Sequence, residues 1–245
     1  ESGEANASAE RVLELTEAVH TFEFHGVESR PVPSLLRHFS APVRVRYNWS
    51  REQLLFLMSH DPDGFNRWDA GQRLAVDVIQ SLVGAPDDAD IEPRLVEAYR
   101  KLISDTDLDQ ALVAKMLQLP SEAYLIELTE NADVPAIHRA RDSVLRHLAG
   151  ALKGELIDCY QRQQNSGPYE VTPEAIARRS LRNTALAWLL MIDDEEGRGL
   201  AVSQLNAADN MTDRMGALRA LVNSGFESDR QEALDDFYNR FQDDP

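Results

Sequence analysis

Six histidines, a lone cysteine and a surplus of carboxylates are the residues of this 245-residue chain with the chemistry to act on a substrate or hold a metal. A hydrolytic zinc site of the His-Glu-x-x-His kind sets two imidazoles one helical turn apart, with a carboxylate placed to activate water. None of the histidines (His20, His25, His38, His60, His138, His147) is followed by Glu. His20 and His25 fall on opposite faces of an extended segment, and His138 and His147 on opposite faces of a helix, so neither pair forms a local clamp. Cys159 sits in a helical pattern with no second cysteine and no evident histidine partner, which reads as a packed thiol. Asp61-Pro62-Asp63-Gly64 begins like a calcium loop, but Phe65 and the residues after it break that pattern, leaving a helix-capping turn. No glycine-rich phosphate loop and no Gly-x-Ser-x-Gly elbow occurs. The sequence therefore names no catalytic, cofactor-binding or metal-ligating residue.

Three charged groups remain. Asp193-Asp194-Glu195-Glu196 could attract a cation, or could favour the start of a helix electrostatically. Arg67, in Arg67-Trp68-Asp69, could hold a substrate carboxylate bidentately or pair with a nearby acid; the structural role is the simpler reading. Arg178, Arg179 and Arg182 form a basic cluster whose plain reading is a salt-bridged helix face.

The chain carries 25 basic and 42 acidic residues, a net charge of −17. That balance repels phosphate backbones and anionic lipid surfaces, so neither nucleic acid nor membrane is an expected partner. A solvated acidic surface accounts for it, and attraction of cationic peptide N-termini is a further expectation. The 43% apolar and 27% charged fractions are those of a soluble globular protein. The polar Glu1–Glu10 segment has no basic or apolar region of a secretory signal, and the first residue is not Met, which suggests an excised or processed piece. With Cys159 unpaired, a reducing, cytoplasmic setting is expected. The Asn-x-Ser/Thr triplets at Asn6, Asn48 and Asn210 then read as chance matches.

Two kinds of element must position these residues. Residues 1–49 read as a few strands of an incomplete β-sandwich: Phe22 and Phe24 share a strand face, Val43 to Tyr47 alternates, and Pro31, Pro33 and Pro42 interrupt. Residues 50–245 read as about ten helices, an irregular α-solenoid without a fixed repeat period. Ser50-Arg51-Glu52-Gln53 is a capping box, and a helix from Phe65 to Val83 stops near Gly84. An acidic loop from Gly84 to Pro93 comes next, then helices over 95–103 and 108–119, the second capped by Asp107 and ended by Pro120. Ser121 is a further cap. Pro135 opens one long helix through Tyr160, closed by Asn165 to Pro168; Thr172-Pro173 opens the next, and Thr212 and Ser228 are expected caps.

Several segments resemble the bacterial aminopeptidase N family. Pro31-Val32-Pro33-Ser34-Leu35-Leu36-Arg37 running into Phe39-Ser40-Ala41-Pro42-Val43 is the most specific, supported by Leu15 to Ala18 with Phe22 to Phe24, by Phe65 to Ala70, and by Asn210 to Asp213 with Ala217-Leu218. The resemblance implies a zinc peptidase parent of four domains that removes N-terminal residues from peptides. This chain would hold the last strands of its β-sandwich and most of its helical domain, a cover that limits access to the active site. The implied partners are the parent's catalytic domain and its peptide substrates. The zinc ligands and catalytic residues belong to the catalytic domain, so none is carried onto this sequence. A stand-alone helical scaffold for protein partners is the alternative.

Overall fold

The computed structural model describes residues 10–85, 91–164 and 167–243. Asn6, most of the acidic loop after Gly84, and Asn165-Ser166 lie outside the described residues. The chain divides into two compact units, Glu1–Pro33 and Ser34–Pro245.

In the first unit the backbone is irregular, with no strand among the described residues. The expected sandwich strands are not formed among the described residues, Val43 to Tyr47 in the second unit included. A strand exists only by hydrogen bonding to a neighbour, and the described segment folds none back against itself. Its apolar side chains lack a covering sheet: Phe24 is 57% exposed and Val43 60%.

The second unit opens on a single 3₁₀ turn, Arg37–Phe39, and continues through eleven α-helices among the described residues. They are α1 (Arg51–His60), α2 (Gly64–Leu82), α3 (Pro93–Ser104), α4 (Gln110–Met116), α5 (Glu122–Glu127), α6 (Val134–Ala151), α7 (Lys153–Arg162), α8 (Pro173–Leu190), α9 (Glu195–Ala207), α10 (Met211–Val222) and α11 (Glu227–Phe241). Neighbours in sequence pack on each other, α1 on α2, α7 on α8, α9 on α10 and α10 on α11, as in a solenoid of helix pairs. Helix α8 is the hub and packs against α4, α6, α7, α9 and α10. Its apolar stripe explains this: Leu181, Ala185, Leu186, Trp188 and Leu189 are all buried.

Local chemistry sets most boundaries. Ser50 forms both halves of its capping box, accepting from Gln53 N–H while its own N–H donates to the Gln53 side chain at 3.0 Å. Asp63, Ser121, Asp133, Thr172 and Asp194 cap α2, α5, α6, α8 and α9. Gly84, at φ +80°, turns the chain after α2 where a side chain would be strained.

Four expected boundaries move. Asp109, not Asp107, caps α4, because its carboxylate reaches the N–H groups of Ala111 (2.7 Å) and Leu112 (3.1 Å). The long helix through Tyr160 is two, α6 and α7, broken at Leu152 (φ −115°, ψ 15°). Gly150 and Gly154 flank the break and weaken helix propagation there, while Leu152 is fully buried. Asn210 caps helix α10, its side-chain oxygen accepting from Asp213 N–H at 2.9 Å, which leaves Thr212 inside the helix. Phe226 precedes α11, so Ser228 is inside its first turn.

Candidate functional site

The charged groups singled out in the sequence are mostly structural. Arg67 donates to the carbonyls of Met58 and Ser59, both at 2.9 Å, closing the C-terminal end of α1 rather than pairing with an acid. Asp63 caps α2 through Asn66 N–H (2.9 Å) and also accepts from His38 N–H (3.0 Å). Burial pushes its carboxyl up, but those hydrogen bonds and the nearby His38 outweigh burial and hold it below the ordinary carboxylate range. Asp194 caps α9 through Gly197 N–H and meets Lys153 at 2.5 Å, with Glu195 and Glu196 in the first turn. Burial raises its carboxyl, yet Lys153 and the backbone N–H groups leave it lowered overall. The Asp61 to Gly64 and Asp193 to Glu196 segments are thus helix starts.

Cys159 is fully buried, and burial pushes its thiol up to about 11, slightly opposed by Arg162. That makes it a packing residue rather than a nucleophile. His20 stacks on Phe22, His138 lies 2.9 Å from Glu122, and no three His, Cys, Asp or Glu side chains are grouped to hold a metal among the described residues.

The basic cluster of α8 splits in two. Arg182 turns into a buried polar network: its guanidinium donates to Tyr160 OH (3.1 Å) and lies 3.8 Å from Asp213. Tyr160 OH in turn donates to Gln204 (3.0 Å), Gln204 donates to Asn183 (2.7 Å), and Asn183 donates to Asp213 (3.1 Å). This network ties α7, α8, α9 and α10 together.

Arg179, three residues earlier, lines a groove of about 980 Å³ instead. It is 8% exposed; its guanidinium donates to Glu170 C=O (2.9 Å) and lies 4.6 Å from the centre of the Tyr169 ring. Its Nε–H, like that of Arg182, is buried without an acceptor among the described residues. Arg141 of α6 and Arg219 of α10 also line the groove, and no Asp or Glu among the described residues does. Arg141 donates to Pro120 C=O at 2.8 Å, whereas Arg219 is exposed and its guanidinium touches no partner among the described residues. In a chain of net charge −17, this is a locally cationic recess.

The groove is also apolar at its edges. Tyr169, Val171, Ile176 and Met211 line it, with Val171 70% and Ile176 50% exposed. Three of the five methionines, Met191, Met211 and Met215, line it as well, and flexible thioethers suit surfaces that accommodate varied partners. Trp188 anchors the wall, 4% exposed, its ring 5.7 Å from the buried Tyr99. Arg141, Arg219 and Tyr169 were not legible as a set, because separate helices and a loop bring them together.

A family described as "Domain of unknown function (DUF3458_C) ARM repeats" matches residues 51–245, and one described as "Domain of unknown function (DUF3458) Ig-like fold" matches residues 1–48. Curated relatives include aminopeptidase N of Escherichia coli, 39% identical over 86% of this chain, and of Haemophilus influenzae, 33% identical over 95%. This chain belongs to the aminopeptidase N family, in its C-terminal ARM-repeat region. It spans about a quarter of the length of these relatives (24% and 27%). A solved structure of Legionella pneumophila aminopeptidase A in complex with aspartic acid superposes on 91% of the chain and 27% of its own length, with TM-score 0.78 and 30% identity. In this aminopeptidase N region no helix among the described residues is long and apolar enough to cross a membrane.

Proposed function

We propose that this chain is the access-controlling helical part of a zinc aminopeptidase that removes N-terminal residues from peptides. The 39% identity to an aminopeptidase N across most of the chain carries the reading. The groove supports it: a large, open, partly apolar recess in a helical stack is suited to guiding peptides and too small for folded proteins. Residues 1–48, matched by an Ig-like family, would complete a sandwich with strands supplied by the rest of the parent. That pairing would cover the exposed Phe24 and Val43.

Zinc does not fit this chain's own described residues. His138 and Glu122 meet, but no third ligand joins them, and no His-Glu-x-x-His is present. The metal and the peptide-cleaving step are assigned to the parent's catalytic domain. A reducing cytoplasmic setting suits the unpaired, buried Cys159.

The test is to read the coding sequence on both sides of this chain. An upstream His-Glu-x-x-His in the same reading frame, with a downstream Glu to complete the ligands, supports the proposal. A start codon directly before Glu1 overturns it and leaves a helical scaffold.

A further inference from the structure

We infer that the groove between α6, α8 and α10 binds an acidic peptide segment, one that carries carboxylate side chains interspersed with apolar ones. The inference deepens the peptide-handling reading and rests on it. Three observations carry it.

The first is charge. Arg141, Arg179 and Arg219 come from three different helices, and among the described residues none is paired with a carboxylate and the lining holds no Asp or Glu. Elsewhere in the molecule arginines are routinely held by acids, such as Arg198 by Asp229 at 2.7 Å and Arg100 by Glu155 at 2.6 Å. On a chain of net charge −17, three arginines on one acid-free lining favour an anionic occupant over a cationic one. The second is Arg179 itself. It is buried, propped over Tyr169 and held through Glu170 C=O, with an Nε–H that lacks an acceptor among the described residues. A guanidinium held by a carbonyl and a ring, with no carboxylate beside it, keeps its full positive charge at the groove wall, where an anionic group can pair with it. The third is the apolar lining. Val171, Ile176 and Met211 are exposed beside these cations, and the three methionines adapt to different side chains.

Three guanidiniums come from α6, α8 and α10, whereas one carboxylate pairs bidentately with one guanidinium. Several carboxylates spaced along an extended segment match them better, with apolar side chains between to cover Val171 and Ile176. The acidic surface expected to attract cationic peptide ends does not extend into this recess.

Calorimetry on this chain with synthetic octapeptides tests the inference. One peptide alternates Glu with Leu, a second alternates Gln with Leu, both with amidated ends, and a third is the Gln-Leu peptide with a free carboxylate. The Glu-Leu peptide is expected to bind, more weakly as salt rises, and the amidated Gln-Leu peptide to bind at least about tenfold less tightly. Arg219→Glu should weaken Glu-Leu binding on the order of tenfold or more, and Arg219→Lys should keep most of it. Arg219 is exposed and unpartnered, so both variants fold, which an unchanged melting curve checks. Equal binding of the two amidated peptides overturns the inference. So does no binding at all, an Arg219→Glu variant that binds as before, or preference for the free-carboxylate Gln-Leu peptide, which would make the groove a terminus pocket. An upstream zinc motif would stand through any of these results, so failure of this inference is separable from failure of the aminopeptidase reading.

Discussion

Arg179 and Arg182 lie three residues apart on α8 and have opposite fates. Both bury an Nε–H that has no acceptor among the described residues. Arg182 directs its other nitrogens to Tyr160 and Asp213, inside a network whose members sit on four helices. Arg179 directs its own to a carbonyl and an aromatic face and stays beside open space. A run of basic residues on one helix is therefore not one feature. The side facing neighbouring helices meets a carboxylate within a hydrogen-bonded network, and the side facing the groove meets a carbonyl and a ring but no acid among the described residues. Stability should reside in the first and binding in the second.

That contrast can be broken in order of size. Asp213→Ala removes the carboxylate that accepts from Asn183 and Asn210, and leaves the half-buried Arg182 without its acid. The expected loss is about 3 kcal/mol, read from the urea midpoint at unchanged slope. A loss near zero would mean the network merely fills space. Next is a local cap: Ser50→Ala should lower stability by about 1 kcal/mol in the same assay, because α1 loses one half of its capping box.

Acid should act on the closed side too, with a smaller effect. Asp194 and Asp63 have carboxyls held below their ordinary range in the folded chain. Their contribution is present above the ordinary carboxylate pKa and is lost as pH falls through the depressed folded values. Stability followed from neutral pH downward should fall in that window, and Asp194→Asn should flatten the dependence. An unaltered pH profile in that variant would remove Asp194 from the account. Smallest of all, Arg219→Ala should change stability by less than about 0.5 kcal/mol, since the side chain is exposed and unpartnered. A larger loss would show that the groove side is also structural.

The same contrast explains what the sequence could reveal. Caps at Ser50, Ser121 and Thr172 are legible because donor and acceptor lie three residues apart in the chain. The α8 stripe is legible because its period is local. The break at Leu152 was hidden by an unbroken apolar pattern running from Val144 to Tyr160. Asp109 displaced Asp107 because only geometry decides which of two nearby carboxylates reaches the helix N–H groups. The sandwich strands expected within residues 1–49 are not formed among the described residues, since pairing is non-local and alternation alone supplies no partner. The groove was illegible for a related reason: Arg141, Arg179 and Arg219 are ordinary one by one and acquire meaning only when the helices pack.

The central claim is that this recess governs which peptides reach the parent's active site. Ala187 is exposed on its wall, so Ala187→Trp fills the groove without disturbing the core. In the full polypeptide, kcat/KM should be measured for a single aminoacyl anilide and for peptides of increasing length. The account predicts unchanged anilide hydrolysis and a loss that grows with peptide length. Unchanged kinetics on every substrate, or an equal fall on all of them, would contradict it.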